Sequence, residues 1–116
     1  MLNRLNRLKK RYQFNYVYRV GEHFSGEFCV LYITPSKTKN IKVGLAVTKK
    51  VGHAVVRNKT RRRLREIIRV LLPKLKQNYN IIVVAKDSIV SASFSSLSAD
   101  LEKLIKKADL FNEKNI

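Results

Sequence analysis

The apolar residues of this chain fall into six segments, some spaced with the period of a helix and others with that of a strand. Phe14, Val17 and Tyr18 recur at i, i+3 and i+4, so they share one face of a short helix from about Lys9 to Val20, with Gly21 just past its end. Glu27 to Thr34 (EFCVLYIT) is β-branched and aromatic and stops at Pro35, which predicts a strand. Ile41 to Thr48 (IKVGLAVT) alternates: Ile41, Val43, Leu45 and Val47 point one way, and Lys42, Gly44, Ala46 and Thr48 the other. That period predicts a second strand, half-covered, whose other face is shallow because its side chains are small. The Pro35–Asn40 loop suits a hairpin connection between these two strands. Val55 to Leu72 reads as a helix stopped by Pro73. Asn80 to Lys86 (NIIVVAK) is continuously apolar, as a central strand covered on both faces should be. Phe94, Leu97, Leu101, Leu104, Ile105 and Ala108 make a helical stripe with Ser93 placed to cap it.

The predicted order is therefore α-β-β-α-β-α, a small α+β sandwich of one mixed sheet and its helices. At 116 residues the chain is expected to be a single domain spanning residues 1–116. The basic arm at residues 1–7 and the tail at 112–116 are expected to be flexible. A hydrophobic share of 45% argues for a packed core and against global disorder.

Charge narrows the function. Twenty-five Lys and Arg oppose eight acids, a net charge of +17, and such a field attracts polyanions. The longest clearly apolar run, Ile81 to Ala85, is strand-sized and far short of a membrane span, and Met1 to Arg11 lacks the apolar core of a signal peptide. A cytoplasmic protein without a membrane role is expected. The lone Cys29 sits in an apolar run, reads as a small buried hydrophobe, and fits a reducing compartment.

The charge concentrates between Arg57 and Arg69, where seven basic residues face one acid, Glu66. At 100° per residue, Val56, Leu64, Ile67, Ile68, Leu71 and Leu72 occupy an arc of about 160° that packs on the sheet. Asn58, Arg62, Arg65 and Arg69 lie outside it as a solvent-facing stripe. Arg57 and Arg61 fall inside the arc but in the first two turns, where an unpaired buried guanidinium is too costly. The helix start is thus expected to overhang the sheet, with both arginines on the rim of a groove. A solvated face normally mixes signs; like charges at 57, 61, 65 and 69 repel, and phosphates would relieve the repulsion. Lys49, Lys50 and Gly52 lie just ahead, at the strand-to-helix junction, and a helix N-terminus favours anions.

Catalytic chemistry is not written here. There is no Walker spacing, no CxxC, HExxH or GxSxG, only His23 and His53 as histidines, and the acids are scattered. Neither a catalytic residue nor a metal ligand is expected. A general RNA-binding or ribosome-associated module, and a DNA-binding protein, remain as readings of the same charge.

The segment Lys49-Lys50-Val51-Gly52-His53-Ala54-Val55-Val56-Arg57-Asn58-Lys59-Thr60-Arg61-Arg62-Arg63-Leu64-Arg65 resembles the signature of the bacterial ribonuclease P protein family. Its core is Lys-Lys-x-Gly-Asn-Ala-Val-x-Arg-Asn, followed by bases at helical spacing. Leu8-Lys9-Lys10 with Phe14, Val17 and Tyr18 is similar to the family's first helix. Cys29-Val30-Leu31-Tyr32, Val43-Gly44-Leu45-Ala46-Val47 and Ile81-Ile82-Val83-Val84-Ala85 are similar to its strands. Thr48 and His53 depart from the family's Ser and Asn.

The resemblance implies a left-handed βαβ crossover around the basic helix, against the general preference. It implies that Lys49, Lys50, Arg57, Asn58, Lys59, Arg61, Arg62, Arg65 and Arg69 dock on a catalytic RNA. A cleft of Phe14, Val17, Tyr18 and Tyr32, with Arg57 near its rim, would take the single-stranded 5′ leader of precursor tRNA. Phe14 reads equally as core, and core is the alternative for Tyr18. The implied cofactor is the RNA subunit, with Mg2+ held mainly by RNA; the implied partners are that RNA and precursor tRNA, with no obligatory protein partner.

Overall fold

The computed structural model describes residues 7–112. In chain order its elements are α1 (Arg11–Val20), β1 (Glu22–Ser25), β2 (Cys29–Pro35), β3 (Lys42–Ala46), α2 (Ala54–Leu71), β4 (Tyr79–Ala85) and α3 (Phe94–Lys107). Short 3-10 turns cover Leu72–Lys74 and Asp87–Ser91. The strands form one mixed sheet in the order β1-β2-β4-β3, with β3 parallel to β4 and the other pairs antiparallel. This is the α+β sandwich that the apolar periods predict.

The pairing differs from expectation. The Pro35–Asn40 loop closes no hairpin, because β4 lies between β2 and β3. Loop length limits where the two ends can go but does not choose their partners. The most continuously apolar strand takes the centre, where neighbours and both faces cover it. The hairpin is instead β1–β2, and β1 (EHFS) escapes sequence patterning because it is a short, mostly exposed edge strand.

Alternation along the strands divides the interior into two layers. Leu31, Ile33, Val43, Ile81 and Val83 face α2 and α3, packing against Leu64, Ile67, Ile68 and Leu71 and against Leu97, Leu101, Leu104 and Ile105. The opposite face belongs to α1: Val17 and Leu8 bury Ile82, with Phe14, Tyr32, Ala46 and Val84 around them. The second face of β3, shallow because of Gly44 and Ala46, is thus not left open as expected: Phe14 of α1 covers it at Gly44.

Local chemistry sets the element ends. α1 starts two residues later than its apolar spacing suggests, where Gln13 Oε1 accepts from the amides of Lys9 (3.1 Å) and Lys10 (3.0 Å). Gly21 follows the helix in an extended conformation and not a left-handed one. It is required by close approach, since a Cβ there would lie 2.5 Å from Val17 O and 2.6 Å from Ile33 O. Ser93 caps α3 as expected, its Oγ accepting from Ser96 N at 3.1 Å. Buried Asp100 accepts from the amides of Glu27 (2.9 Å) and Phe28 (3.0 Å), tying α3 to the β1–β2 turn.

Arg7 forms an isolated parallel bridge with Val43, and Asn112 N donates to Lys74 O at 2.8 Å. The rest of the basic arm and of the tail, residues 1–6 and 113–116, lies outside the described residues.

Candidate nucleic-acid interface

Strand register builds the aromatic surface. His23, Tyr32, Ile82 and Gly44 form one row across the sheet. α1 crosses this row. Tyr18 meets Tyr32 edge-on at 4.9 Å between ring centroids, with 87° between planes, and His23 lies tilted against Tyr32 at 5.6 Å. Val17 covers Ile82, and Phe14 sits over Gly44, where a Cβ would come within 2.5 Å of Phe14 Cζ. The next row, Ser25, Val30, Val84 and Ala46, has no such cover, and its three apolar members stay half-buried. The result is a shallow apolar trough walled by the aromatic side chains. Burial and the neighbouring Tyr32 push the Tyr18 phenol above its ordinary value, so it remains a hydrogen-bond donor.

The basic helix follows its predicted arc, with Leu64, Ile67, Ile68 and Leu71 buried and Val56 and Leu72 at the margins. Thr60 also lies in the buried arc, a polar residue that the apolar spacing hides; its hydroxyl donates to Val56 O at 2.9 Å. Arg57 is half-buried, and its Nε is enclosed without a hydrogen-bond partner. Arg61 Nη1 donates to Asn58 Oδ1 (3.0 Å) and Nη2 to Val47 O (3.4 Å), which holds this arginine over the end of β3. Arg61 thus reaches over the sheet edge as the helical map expects, while Arg57 is drawn in further, with its Nε enclosed.

Arg61 and Arg65 converge with Arg7, Leu8, Phe14, Val43 and Leu45 around a cavity of about 140 Å³. On its outer side, Asn58, Arg61, Arg62, Arg65 and Glu66 line a wider hollow of about 560 Å³. The arginine face and the aromatic face thus meet along the β3 edge.

Other expected positions are placed less uniformly. Lys49, Lys50 and Lys59 are exposed around the start of α2. His53 is the N-cap residue but provides no side-chain cap, so the helix start keeps its pull on anions. Gly52 adopts φ 155°, which L side chains rarely reach. Arg69 is bound to Glu66, whose carboxylate is held below its ordinary value by that bond and charge, so Arg69 is the most compromised member of the stripe. Arg63 is tied to Ala92 O and serves the scaffold. Val17 corrects the expected cleft: it is fully buried, and supports Phe14 and Tyr18 from beneath without offering a surface. His23 joins the aromatic cluster through β1, the strand that sequence patterning misses. Cys29 is buried as expected, and burial pushes its thiol up to about 12.

Among the described residues no three His, Cys, Asp or Glu side chains gather as metal ligands would, and no helix is long and apolar enough to cross a membrane. A three-layer α+β fold that joins an aromatic trough to an arginine-rich helix defines a small basic protein of the nucleic-acid-binding class. Residues 2–109 match the Ribonuclease P family model. The ribonuclease P protein component of Caldanaerobacter subterraneus subsp. tengcongensis is 39% identical over 98% of both chains. A Staphylococcus aureus RNase P protein mutant with defective mRNA degradation activity superposes with a TM-score of 0.86 at 30% identity, covering 92% of this chain and 91% of that one. The Thermotoga maritima RNase P protein superposes at 0.80 with 25% identity, covering 87% and 96%. The chain belongs to the ribonuclease P protein family.

Proposed function

We propose that this chain is the protein subunit of ribonuclease P, acting in 5′ maturation of tRNA while the RNA subunit carries the chemistry. The carrying observation is the meeting of Arg61 and Arg65 with Phe14 around one cavity at the β3 edge. In this reading Arg57, Asn58, Lys59, Arg61, Arg62 and Arg65, with Lys49 and Lys50, contact phosphates of the catalytic RNA. Arg69 contributes less because Glu66 holds it. The trough beside Phe14, Tyr18 and Tyr32 takes the single-stranded 5′ leader, since an aromatic face stacks any base and so tolerates any leader sequence. Arg57, half-buried in the first turn of α2, brings a guanidinium suited to a backbone phosphate.

The physical role follows from charge. Catalytic RNA and precursor tRNA repel, and a +17 body between them lowers that repulsion and replaces part of the screening by divalent ions. Mg2+ in this reading is held mainly by RNA, and the protein works in the cytoplasm without an obligatory protein partner.

The test is a cleavage assay across a magnesium series with each component alone and combined. Protein added to its RNA should restore 5′ cleavage at low magnesium, with a benefit that shrinks as magnesium rises. An mRNA substrate belongs in the same assay, given the activity named for the S. aureus relative. Specific 5′ cleavage of precursor tRNA by RNA-free protein would overturn the assignment of chemistry to RNA.

A further inference from the structure

The flank of α1 away from the trough carries a second aromatic surface. Tyr12 and Tyr16, one helical turn apart, are 70% and 48% exposed. They line a hollow of about 470 Å³ with Gln13, Asn15, Arg19 and Asn80. None of the trough's residues lines it. Register explains the separation: Asn80 pairs with Thr34 and Lys42, a row that lies beyond the Tyr32–Ile82–Gly44 row, on the side opposite Val30, Val84 and Ala46. α1 crosses between the two.

We propose that this hollow is a second site for unpaired RNA, in which Tyr12 and Tyr16 stack bases and Arg19 holds the adjoining phosphate. Three observations carry it. Two large rings are kept in water on a helix that has already buried its apolar stripe, so neither is serving the core. The Arg19 guanidinium lies over the Tyr16 ring at 5.9 Å, which orders a cation beside a stacking face in advance of any ligand. Asn80 Oδ1 is buried without a hydrogen-bond partner, a demand that a base edge meets once the amide turns toward the hollow.

Charge complementarity selects the occupant. The lining contains no carboxylate, its cross-strand neighbour is Lys42, and a chain at +17 disfavours a second copy of itself or a basic peptide. A strand of RNA supplies both flat bases and negative charge. The site rests on the reading that this protein works bound to RNA. It extends that reading from one single-stranded contact to two, on opposite sides of α1, so that α1 lies between two segments of RNA.

The experiment uses the full-length chain and a short oligouridylate carrying 4-thiouridine, with photo-crosslinks mapped by mass spectrometry and affinity measured in parallel. Wild type should crosslink on both flanks of α1. The Tyr12→Ala, Tyr16→Ala double variant should lose only the crosslinks at the outer flank, with the affinity of that site falling about tenfold or more. An abasic oligomer of equal phosphate count should bind both proteins alike. Holoenzyme built with the double variant should still distinguish leader-bearing from mature tRNA. Crosslinks confined to the Tyr32 side in wild type, or equal losses for the uridylate and the abasic oligomer, overturn the proposal and leave the leader assignment standing. Self-association in sedimentation that disappears in the double variant overturns it in favour of a dimer contact. Loss of leader discrimination in the double variant overturns the independence of the two sites.

Discussion

Gly44→Ala tests whether α1, the sheet and the leader trough are coupled as the geometry requires. The added methyl would lie 2.5 Å from Phe14 Cζ and 2.6 Å from Cε2. Carbon atoms rest about 3.5–4.0 Å apart, so the ring must retreat by roughly 1–1.5 Å. Leu8 Cδ1, at 3.3 Å, blocks part of the way. Overpacking of this kind costs about 1–3 kcal/mol; the lower half is expected, because the clash involves the end of a half-buried side chain. The ring leaves the trough wall, and leader binding should fall about as far as in Phe14→Ala.

Urea denaturation and holoenzyme affinity for leader-bearing and mature tRNA measure the two effects across a double-mutant cycle. In a Phe14→Ala background the methyl has room, so Gly44→Ala should cost little stability and no further affinity, giving a coupling energy of about 1 kcal/mol or more. Equal costs of Gly44→Ala in both backgrounds would refute the argument, since the clash would then not be with Phe14.

Arg61→Ala with Arg65→Ala should weaken binding to the catalytic RNA and flatten log K against log salt by about one unit per lost phosphate contact; an unchanged slope assigns these residues elsewhere. Arg69→Ala should change that slope less than Arg65→Ala, because Glu66 already occupies its guanidinium, and the two slopes measured side by side decide it. Asp100→Ala strands the Glu27 and Phe28 amides and should cost about 3 kcal/mol in urea denaturation, with tRNA discrimination retained once folded. The Cys29 thiol, raised in the fold from about 9 to about 12, adds stability that is complete below pH 9 and lost as pH rises toward 12. The slope of stability against pH over that window should therefore shrink in Cys29→Ala.

Much of this is legible in the amino-acid sequence. The unbroken apolar run of β4 announces a strand covered on both faces, and the strict alternation of β3 announces one buried face, though not the cover that Phe14 gives to the other. The helical map of 55–72 puts Arg57 and Arg61 at the overhanging helix start; Arg61 reaches over the end of β3, whereas the enclosed Arg57 Nε goes against the rule that placed it outside. What escaped was decided by distant partners. No local pattern says that β4 inserts between β2 and β3, or that EHFS becomes an edge strand once β2 offers it an edge. The Tyr12–Tyr16 flank is masked because its residues share a helix with the apolar stripe that invites attention first. Val17 matches the family's cleft pattern, yet helix geometry turns it straight down onto Ile82. Arg69 has the right charge, and its loss to Glu66 three residues earlier is a contest that charge counting does not see.

The insertion of β4 between β2 and β3 also sets an order of events during synthesis. Among the strands of the sheet only β4 pairs with β3, so the chain through α2 carries its arginines while the strand beneath them has no more than the Arg7–Val43 bridge. The β3 edge, where the arginine face meets the aromatic trough, is completed only after residues 79–85 arrive. The arginines of α2 are thus made before the sheet edge that positions them: the charge is present early, and its shape follows.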